Sequence, residues 1–233
     1  MRTTALLAIG LASGAALAAP TVVEDFNDYA AGTFVDGKTF DVGAGVSFVV
    51  TSSGNNKGAN IFDTNTGVNG DKDLQVYSGN ALILQDKRGP TPNDSGKGGT
   101  LTMTFSEGVY VTSIDLIDMD DHGSSVVTLT DANGAERIFD VPKNFTGDPS
   151  RLAVDGIQTL FFDQAVSFGD LGEDATMRLT ESGFDLRRVV GISVNLSGSG
   201  AIDNLAVAVP MPHPGAMAGA CVAGLAVARR RRR

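Results

Sequence analysis

The chain has 233 residues, no tryptophan and a net charge of −9, with 27 acidic residues against 18 basic ones. Its length suits a single all-β domain, and one domain is the simplest interpretation. Six basic residues lie at the chain ends, so the body has 12 basic and 27 acidic residues, a net charge of −15. That charge argues against binding to nucleic acid or anionic lipid.

The chain begins with the features of a secretory signal peptide. Arg2 is followed by an apolar run from Ala5 to Leu17, and Ala16 and Ala18 fit a cleavage site of small residues. The run is too short to span a bilayer. We therefore expect a helical signal peptide over residues 1–18, cleavage directly after it, and export of the remaining chain.

Residues 19–209 contain short segments in which apolar and polar side chains alternate, and this pattern predicts strands. In the clearest segment, Leu101, Met103 and Phe105 fall on one face and threonines on the other. The next segment has one face that is apolar at first and acidic at its end. Its members are Tyr110, Thr112, Ile114 and Leu116, followed at the same parity by Asp118 and Asp120. We expect Tyr110 to face the core.

Two pairs of segments predict hairpins. Residues 124–141 place Asp, Asn and Gly between two apolar runs, and these residue types accept the backbone angles of a tight turn. Residues 188–196 and 201–209 flank a Ser-Gly turn, and we expect them to pair. The segments together predict an all-β fold, a two-sheet antiparallel sandwich with a jelly-roll arrangement. An immunoglobulin-type sandwich is the alternative.

Short carboxylates dominate the acidic residues, with 22 Asp and five Glu, and such residues suit turns and calcium loops. Asp203 shares a face with Leu205 and Val207 in the last predicted strand, so burial of that face would bury its charge. A calcium ion held jointly with Glu24 or Asp25 of the first strand would satisfy Asp203 and join the two ends of the body. The alternative is that Asp203 lies outside the sheet and caps a turn.

Two further loops are rich in side-chain oxygens without matching an EF-hand. The first is a candidate second calcium site or a solvated turn cluster, and its residues are Asp63, Asn65, Asn69, Asp71 and Asp73. Val68 stands where the EF-hand needs glycine, and Leu74 where it needs its closing carboxylate. The second loop contains Asp118 and Asp120 but has Leu129 at the closing position, so it is the weaker candidate.

The body offers few residues for catalysis. His122 is its one histidine, and it contains neither a cysteine nor a G-x-S-x-G motif. A glycosidase that uses two carboxylates is the enzymatic alternative, with Glu107, Glu136, Glu173, Glu181 or any Asp as the source. Because tryptophan is absent, sugar binding would depend on calcium, on Asp and Asn contacts to hydroxyls, or on an exposed Tyr77.

The end of the chain combines a proline motif, a Gly/Ala-rich apolar segment and an arginine cluster. The motif is Val209, Pro210, Met211 and Pro212, and the cluster is Arg229, Arg230, Arg231, Arg232 and Arg233. This tail resembles the PEP-CTERM sorting signal of exported bacterial proteins, with Met211 in place of that family's Glu. The resemblance implies that an exosortase-type membrane transpeptidase captures the tail, cleaves near the prolines and passes the body to the envelope or an extracellular polymer.

The apolar part of residues 210–233 is short for a membrane span. From Gly215 to Ala228 a helix would extend about 21 Å, against a hydrocarbon core of about 30 Å. We expect a helical sorting segment with transient contact to the cytoplasmic membrane, followed by processing. A permanently membrane-tethered ectodomain is the alternative.

Three stretches of the body, residues 25–34, 61–74 and 196–207, resemble the galactose-binding-like jelly rolls found among carbohydrate-binding modules. The resemblance implies a binding role and a structural calcium where Asp203 lies. We therefore expect a non-enzymatic structural, adhesive or carbohydrate-binding-like module at the cell envelope. Its partners would be the transpeptidase and an exopolysaccharide or envelope glycan, and an exported carbohydrate-active hydrolase is the competing interpretation.

Overall fold

The computed structural model describes residues 20–66, 72–87, 91–119, 123–147, 156–169, 173–180 and 183–208. The helical segments predicted for residues 1–18 and 210–233 lie outside this part of the chain. Contacts within the chain group Pro20–Pro210 into one compact unit. In the part that is described, no helix has the length and apolar character needed to cross a bilayer.

Thirteen strands make up most of the described residues, together with a turn of 3-10 helix at Leu186–Arg188. The strands are β1 (Thr21–Glu24), β2 (Thr39–Gly43), β3 (Val46–Ser53), β4 (Ala59–Asp63), β5 (Asn80–Leu84), β6 (Gly99–Ile117), β7 (Ser125–Asp131), β8 (Glu136–Val141), β9 (Ile157–Phe161), β10 (Val166–Ser167), β11 (Ala175–Thr180), β12 (Val189–Leu196) and β13 (Ala201–Ala208). Their pairings are antiparallel, which confirms the all-β antiparallel prediction.

The strands form two sheets that share the long strand β6. In the first sheet the order is β9-β6-β13-β5-β4, and β1 pairs with the same edge of β13 as β5. In the second the order is β2-β3-β6-β12-β7-β8-β11-β10. The first half of β6 lies between β3 and β12, and its second half lies between β13 and β9.

The core is a continuous cluster of apolar side chains contributed by both sheets, so the two-sheet sandwich is confirmed. Leu101, Met103 and Phe105 of β6 are buried in it, as their alternation predicts. The rings of Phe40 and Phe48 stack with centroids 5.0 Å apart. Full burial of a side chain of this size stabilises the fold by about 1.5–3 kcal/mol.

A β-bulge in β6 makes the prediction for Tyr110 wrong. Val111 pairs with Val207 and Ser113 pairs with Ala206, so Thr112 is an extra residue between two consecutive pairs. Its hydroxyl donates to the carbonyl oxygen of Ala206 at 3.1 Å. An extra residue reverses the side-chain alternation. Before the bulge, therefore, the buried side chains of β6 are at odd-numbered positions. Tyr110 has an even number; it is half-buried and does not belong to the core cluster.

The last two strands do not form the predicted hairpin. β12 pairs with β6 and β7, whereas β13 pairs with β6, β5 and β1. The turn at Ser197–Gly200 thus carries the chain from the second sheet to the first. The two strands share β6 as a neighbour, but each meets a different half of it.

The outer face of the first sheet is also covered near β4 and β5. Leu74 is fully buried against Phe62, Ile83 and Ile117 in a second apolar cluster, and Val76 packs beside it. Because both faces of β4 and β5 are buried there, these strands are nearly continuous in apolar residues rather than alternating. Ser78, at the end of the loop that carries Leu74, is hydrogen-bonded to Asp203 of β13.

Candidate functional site

A groove of about 570 Å³ lies along the loop between β3 and β4, and we call it the Phe34 groove. Small-molecule sites have volumes of about 300–1,000 Å³, so it is large enough for a ligand. Its lining residues are Phe34, Asp36, Ser52, Ser53, Gly54, Asn56, Lys57 and Gly58.

The aromatic ring of the groove is placed by a segment that pairs with the edge of β4. Gly32 donates its backbone N–H to Ile61 at 2.8 Å, and Val35 donates to Ala59 at 2.9 Å. Val35 is fully buried. In an extended segment, neighbouring side chains point to opposite sides. Phe34 therefore points outward, and its side chain is 44% exposed.

Gly58 supports the ring of Phe34. A β-carbon on Gly58 would lie 2.3 Å from one ring carbon of Phe34 and 2.6 Å from the next, so the ring lies against bare backbone. Gly58 also has φ +109°, a conformation that glycine adopts readily. Asn56 fixes the loop, because it accepts from the Gly58 N–H at 3.0 Å and donates to the Ser53 carbonyl at 2.7 Å.

The polar groups of the groove have unused hydrogen-bonding capacity. The Oδ1 atom of Asp36 is buried and has no hydrogen-bond partner among the described residues. Ser52 and Ser53 are also lining residues, and a serine hydroxyl can donate or accept. Lys57 is exposed, and its backbone N–H is tied to Gln85 at 2.7 Å. A fixed ring beside unpaired acceptors and hydroxyls suits a ligand with one apolar face and several hydroxyls.

A second polar site surrounds Asp203, which is fully buried in β13. The pKa of Asp203 is raised from 3.8 to about 7, mainly by burial and in smaller part by repulsion from Asp115 and Asp25. The backbone N–H of Asn204 opposes the rise by donating to Oδ1 at 2.7 Å, and Ser78 donates to the carboxylate as well. Oδ2 has no hydrogen-bond partner among the described residues.

The backbone around Asp203 brings a second carboxylate beside it. Asp115 of β6 is its register partner across the strands. A bulge follows at Asn204, which has φ +47°, and its side-chain amide donates to Asp115 at 2.8 Å. Thr159 donates to the other oxygen of Asp115. Like charges directly opposite each other in a sheet are unfavourable, so this pair needs a proton or a cation.

Of the two partners predicted for Asp203, Asp25 lies close enough to raise its pKa. Asp25 also accepts from the Asn27 N–H at 3.1 Å. Glu24 is half-buried and accepts from the Phe26 N–H at 3.0 Å, and burial raises its pKa. Within the described residues, no three His, Cys, Asp or Glu side chains are grouped as a metal site. A cation at Asp203 would therefore also need hydroxyl, amide or carbonyl oxygens.

The predicted second calcium loop is described only in part. Asp63 accepts from the backbone and side-chain nitrogens of Asn65, and Asp73 accepts from the N–H of Leu74 at 3.1 Å. These contacts are those of local turns. Asn69 and Asp71 lie outside the described residues, as does Asp120 of the weaker candidate. Asp118 is fully buried and accepts from the Ser199 hydroxyl at 3.0 Å.

The remaining candidates are separate from both sites. Tyr77 is 70% exposed, as a sugar-stacking ring would be, but it is not among the groove residues. Glu107 and Glu136 are exposed, and Glu173 accepts from Asn144 at 2.9 Å.

Several predicted residues fall outside the described part of the chain. They are His122, Glu181, the cleavage residues Ala16 and Ala18, and the sorting residues Val209, Pro210, Met211, Pro212 and Arg229 to Arg233.

Sequence reasoning missed the Phe34 groove and the role of Asp115. The signal for Phe34 was its alternation with Val35 between Gly32 and Gly37, which predicts one ring turned outward. The support from Gly58 comes from a residue 24 positions further along, and no local pattern contains it.

No family model matches the chain, and no curated protein matches it. Among solved structures, it is similar to the family 11 carbohydrate-binding module of the cellulosomal cellulase Lic26A-Cel5E of Clostridium thermocellum. The identity is 11%, the match covers 82% of this chain and 96% of that chain, and the TM-score is 0.30. Similarity of this degree assigns no family.

Proposed function

We propose that the chain is an exported, non-catalytic module that binds glycan through the Phe34 groove. The observation that carries the proposal is the exposed ring of Phe34, held against Gly58 in the groove that Asp36 also lines. A sugar ring presents C–H groups on one face and hydroxyls around its edge. The phenyl ring would cover that face, while Asp36 and the two serines would bond to the hydroxyls.

The rigidity of the groove favours binding. The Phe34 segment is hydrogen-bonded to β4, and the Asn56 loop is closed by its own side chain. A preformed site loses less conformational entropy when the ligand binds. A single ring and a few polar groups would still give weak binding, and many copies attached to one polymer would raise the overall affinity. These properties suit a structural or adhesive module in an extracellular matrix.

The test is affinity electrophoresis of the full chain in gels that contain single polysaccharides, comparing Phe34→Ala with Phe168→Ala. Phe168 is 77% exposed and is not a groove residue, so it is a matched control for loss of an exposed aromatic ring. We expect retardation of the wild type and of Phe168→Ala, and an affinity for Phe34→Ala at least about tenfold lower. Equal retardation of Phe34→Ala and wild type would refute the proposal.

A structural calcium ion at Asp203 is part of the proposal. The residues fit a cation in part: Asp203 has an oxygen without a hydrogen-bond partner among the described residues, Asp25 and Asp115 add negative charge, and Ser78 adds a hydroxyl oxygen. Calcium is coordinated by six to eight oxygens, so backbone carbonyls or water would complete the shell. The ion would neutralise the buried carboxylate and link the two ends of the body.

Export and sorting complete the proposal and depend on the two ends of the chain. The signal-peptide features of residues 1–18 support export. The proline motif and arginine cluster of residues 209–233 support capture by an exosortase-type transpeptidase. A reporter enzyme active only outside the cytoplasm, fused behind Ala19, should be active. Activity confined to a cytoplasmic reporter at the same position would refute export.

A further inference from the structure

The two charged groups of the Phe34 groove differ in their exposure to water. Asp36 is half-buried, and one of its carboxylate oxygens is inaccessible to solvent. Lys57 is exposed, and its side chain makes no ion pair with any described residue. Water and salt screen an exposed charge far more than a partly buried one. A ligand in the groove would therefore experience Asp36 more strongly than Lys57.

The carboxylate of Asp36 accepts hydrogen bonds but cannot donate them while ionised. A sugar hydroxyl beside it can donate. A uronic-acid carboxylate or a sulfate ester can only accept, and it would bring a second negative charge to the same place. The rest of the body adds repulsion, because it has 27 acidic residues and 12 basic ones.

The Phe34 ring does not offset this repulsion. It has no hydroxyl with which to bond an anion, and the negative face of an aromatic ring attracts cations rather than carboxylates. Asn56, the amide of the groove, is largely committed to the loop, because its nitrogen donates to the Ser53 carbonyl and its oxygen accepts from the Gly58 N–H, which leaves one amide hydrogen. An anion would have Lys57, the serine hydroxyls and that one amide hydrogen as donors, and of these side chains Lys57 alone carries a positive charge.

From this arrangement we infer that the Phe34 groove selects neutral glycans and rejects polymers of uronic acids, with Asp36 as the residue that sets this specificity. The inference rests on the proposed glycan-binding function. The ligand class is a polysaccharide of uncharged sugars whose hydroxyls donate to Asp36 while the sugar face stacks on Phe34.

The experiment compares retardation of the full chain in gels containing laminarin or galactomannan with gels containing alginate or polygalacturonate. The variants are Asp36→Asn and, as a matched change of the other groove charge, Lys57→Gln. Each variant is first shown to have the secondary structure and unfolding transition of the wild type. Runs at low and high salt separate repulsion by the whole body, which salt screens, from repulsion by half-buried Asp36.

We expect the wild type to bind at least one neutral polymer and neither uronate, at low or high salt. Asp36→Asn should gain about tenfold or more in affinity for uronate at high salt, whereas Lys57→Gln should not. Uronate binding by the wild type that Phe34→Ala abolishes would overturn the neutral specificity and leave glycan binding intact. Failure of Asp36→Asn to gain uronate binding would overturn the role of Asp36. Absence of binding to all four polymers would overturn the proposed function itself.

Discussion

Replacement of Asp203 by Asn should remove a specific pH dependence from the stability of the cation-free protein. Asp203 is fully buried, its Oδ2 has no described partner, and it faces Asp115 across the strands. Asparagine has the shape of the protonated acid and keeps the oxygen that accepts from the Asn204 N–H. The variant therefore imitates the neutral form at every pH.

The size of the effect follows from the pKa of Asp203, which is about 7 in the folded chain against its ordinary value of 3.8. Below the unfolded value both states hold the proton, and the stability from Asp203 is fully present. Between the unfolded and the folded pKa, the Asp203 carboxyl is ionised in the unfolded state but still protonated in the folded state. As the pH rises through that range, the free energy of unfolding falls by about 1.4 kcal/mol per pH unit. The fall stops near the folded pKa, after a total of about 4 kcal/mol.

The assay is urea unfolding of wild type and Asp203→Asn in a calcium chelator, at several values from about pH 4 to about pH 8. The difference in the free energy of unfolding between the two proteins isolates the contribution of Asp203, because the other titrating groups are common to both. We expect the stability of the variant relative to wild type to rise with pH and to level off above about pH 7. Added calcium should stabilise the wild type at high pH and leave the variant nearly unchanged.

Two results would refute this reasoning. A stability difference independent of pH would mean that the Asp203 carboxylate has the same pKa in the folded and unfolded states. Equal stabilisation of both proteins by calcium would place any bound cation elsewhere.

Three further predictions concern other parts of the chain. Gly58→Ala should displace the Phe34 ring and weaken glycan binding, because the new β-carbon would lie 2.3 Å from a ring carbon. Gly37→Ala is the control in the same gels, since Gly37 also has a positive φ but a β-carbon there would meet no atom within 4 Å. Asp131 accepts from three backbone N–H groups, and these bonds lower its pKa. Its stabilisation is present above the unfolded pKa and is lost as the pH falls, so Asp131→Asn should be less stable than wild type in urea at neutral pH, by a margin that shrinks in acid. Intact mass spectrometry of the envelope-associated protein should find a C-terminus near the proline motif. Retention of Arg229–Arg233 would favour a permanent anchor.

The strands were predictable because each alternation reports which face is buried. Leu101, Met103 and Phe105 needed no knowledge of their partners, and the hairpin of β7 and β8 was visible from its turn residues. Pairing between distant strands was not predictable in this way. β6 is long enough to belong to two sheets, so β12 and β13 can both pair with it without pairing with each other.

The same limit applies to the two sites. The burial of Asp203 follows from its parity with Leu205, a local signal, but its pairing with Asp115 depends on the register of β13 with β6. The bulge at Thr112 that sets this register has no glycine or proline to mark it. The Phe34 groove likewise depends on a glycine brought to the ring by strand pairing.

The loop from Asp25 to Phe34 connects the two sites, and its anchoring indicates that they act independently. Phe26 is fully buried, and the ring of Tyr29 lies 4.9 Å from that of Phe40 in the core. Asn80 holds the loop from β5, donating to the Asn27 side chain at 2.8 Å and to the Tyr29 carbonyl at 2.7 Å. None of these contacts uses the Asp203 carboxylate. Removal of a cation should therefore lower the melting temperature without changing the affinity for glycan, since the segment that carries Phe34 is fixed between the two sites.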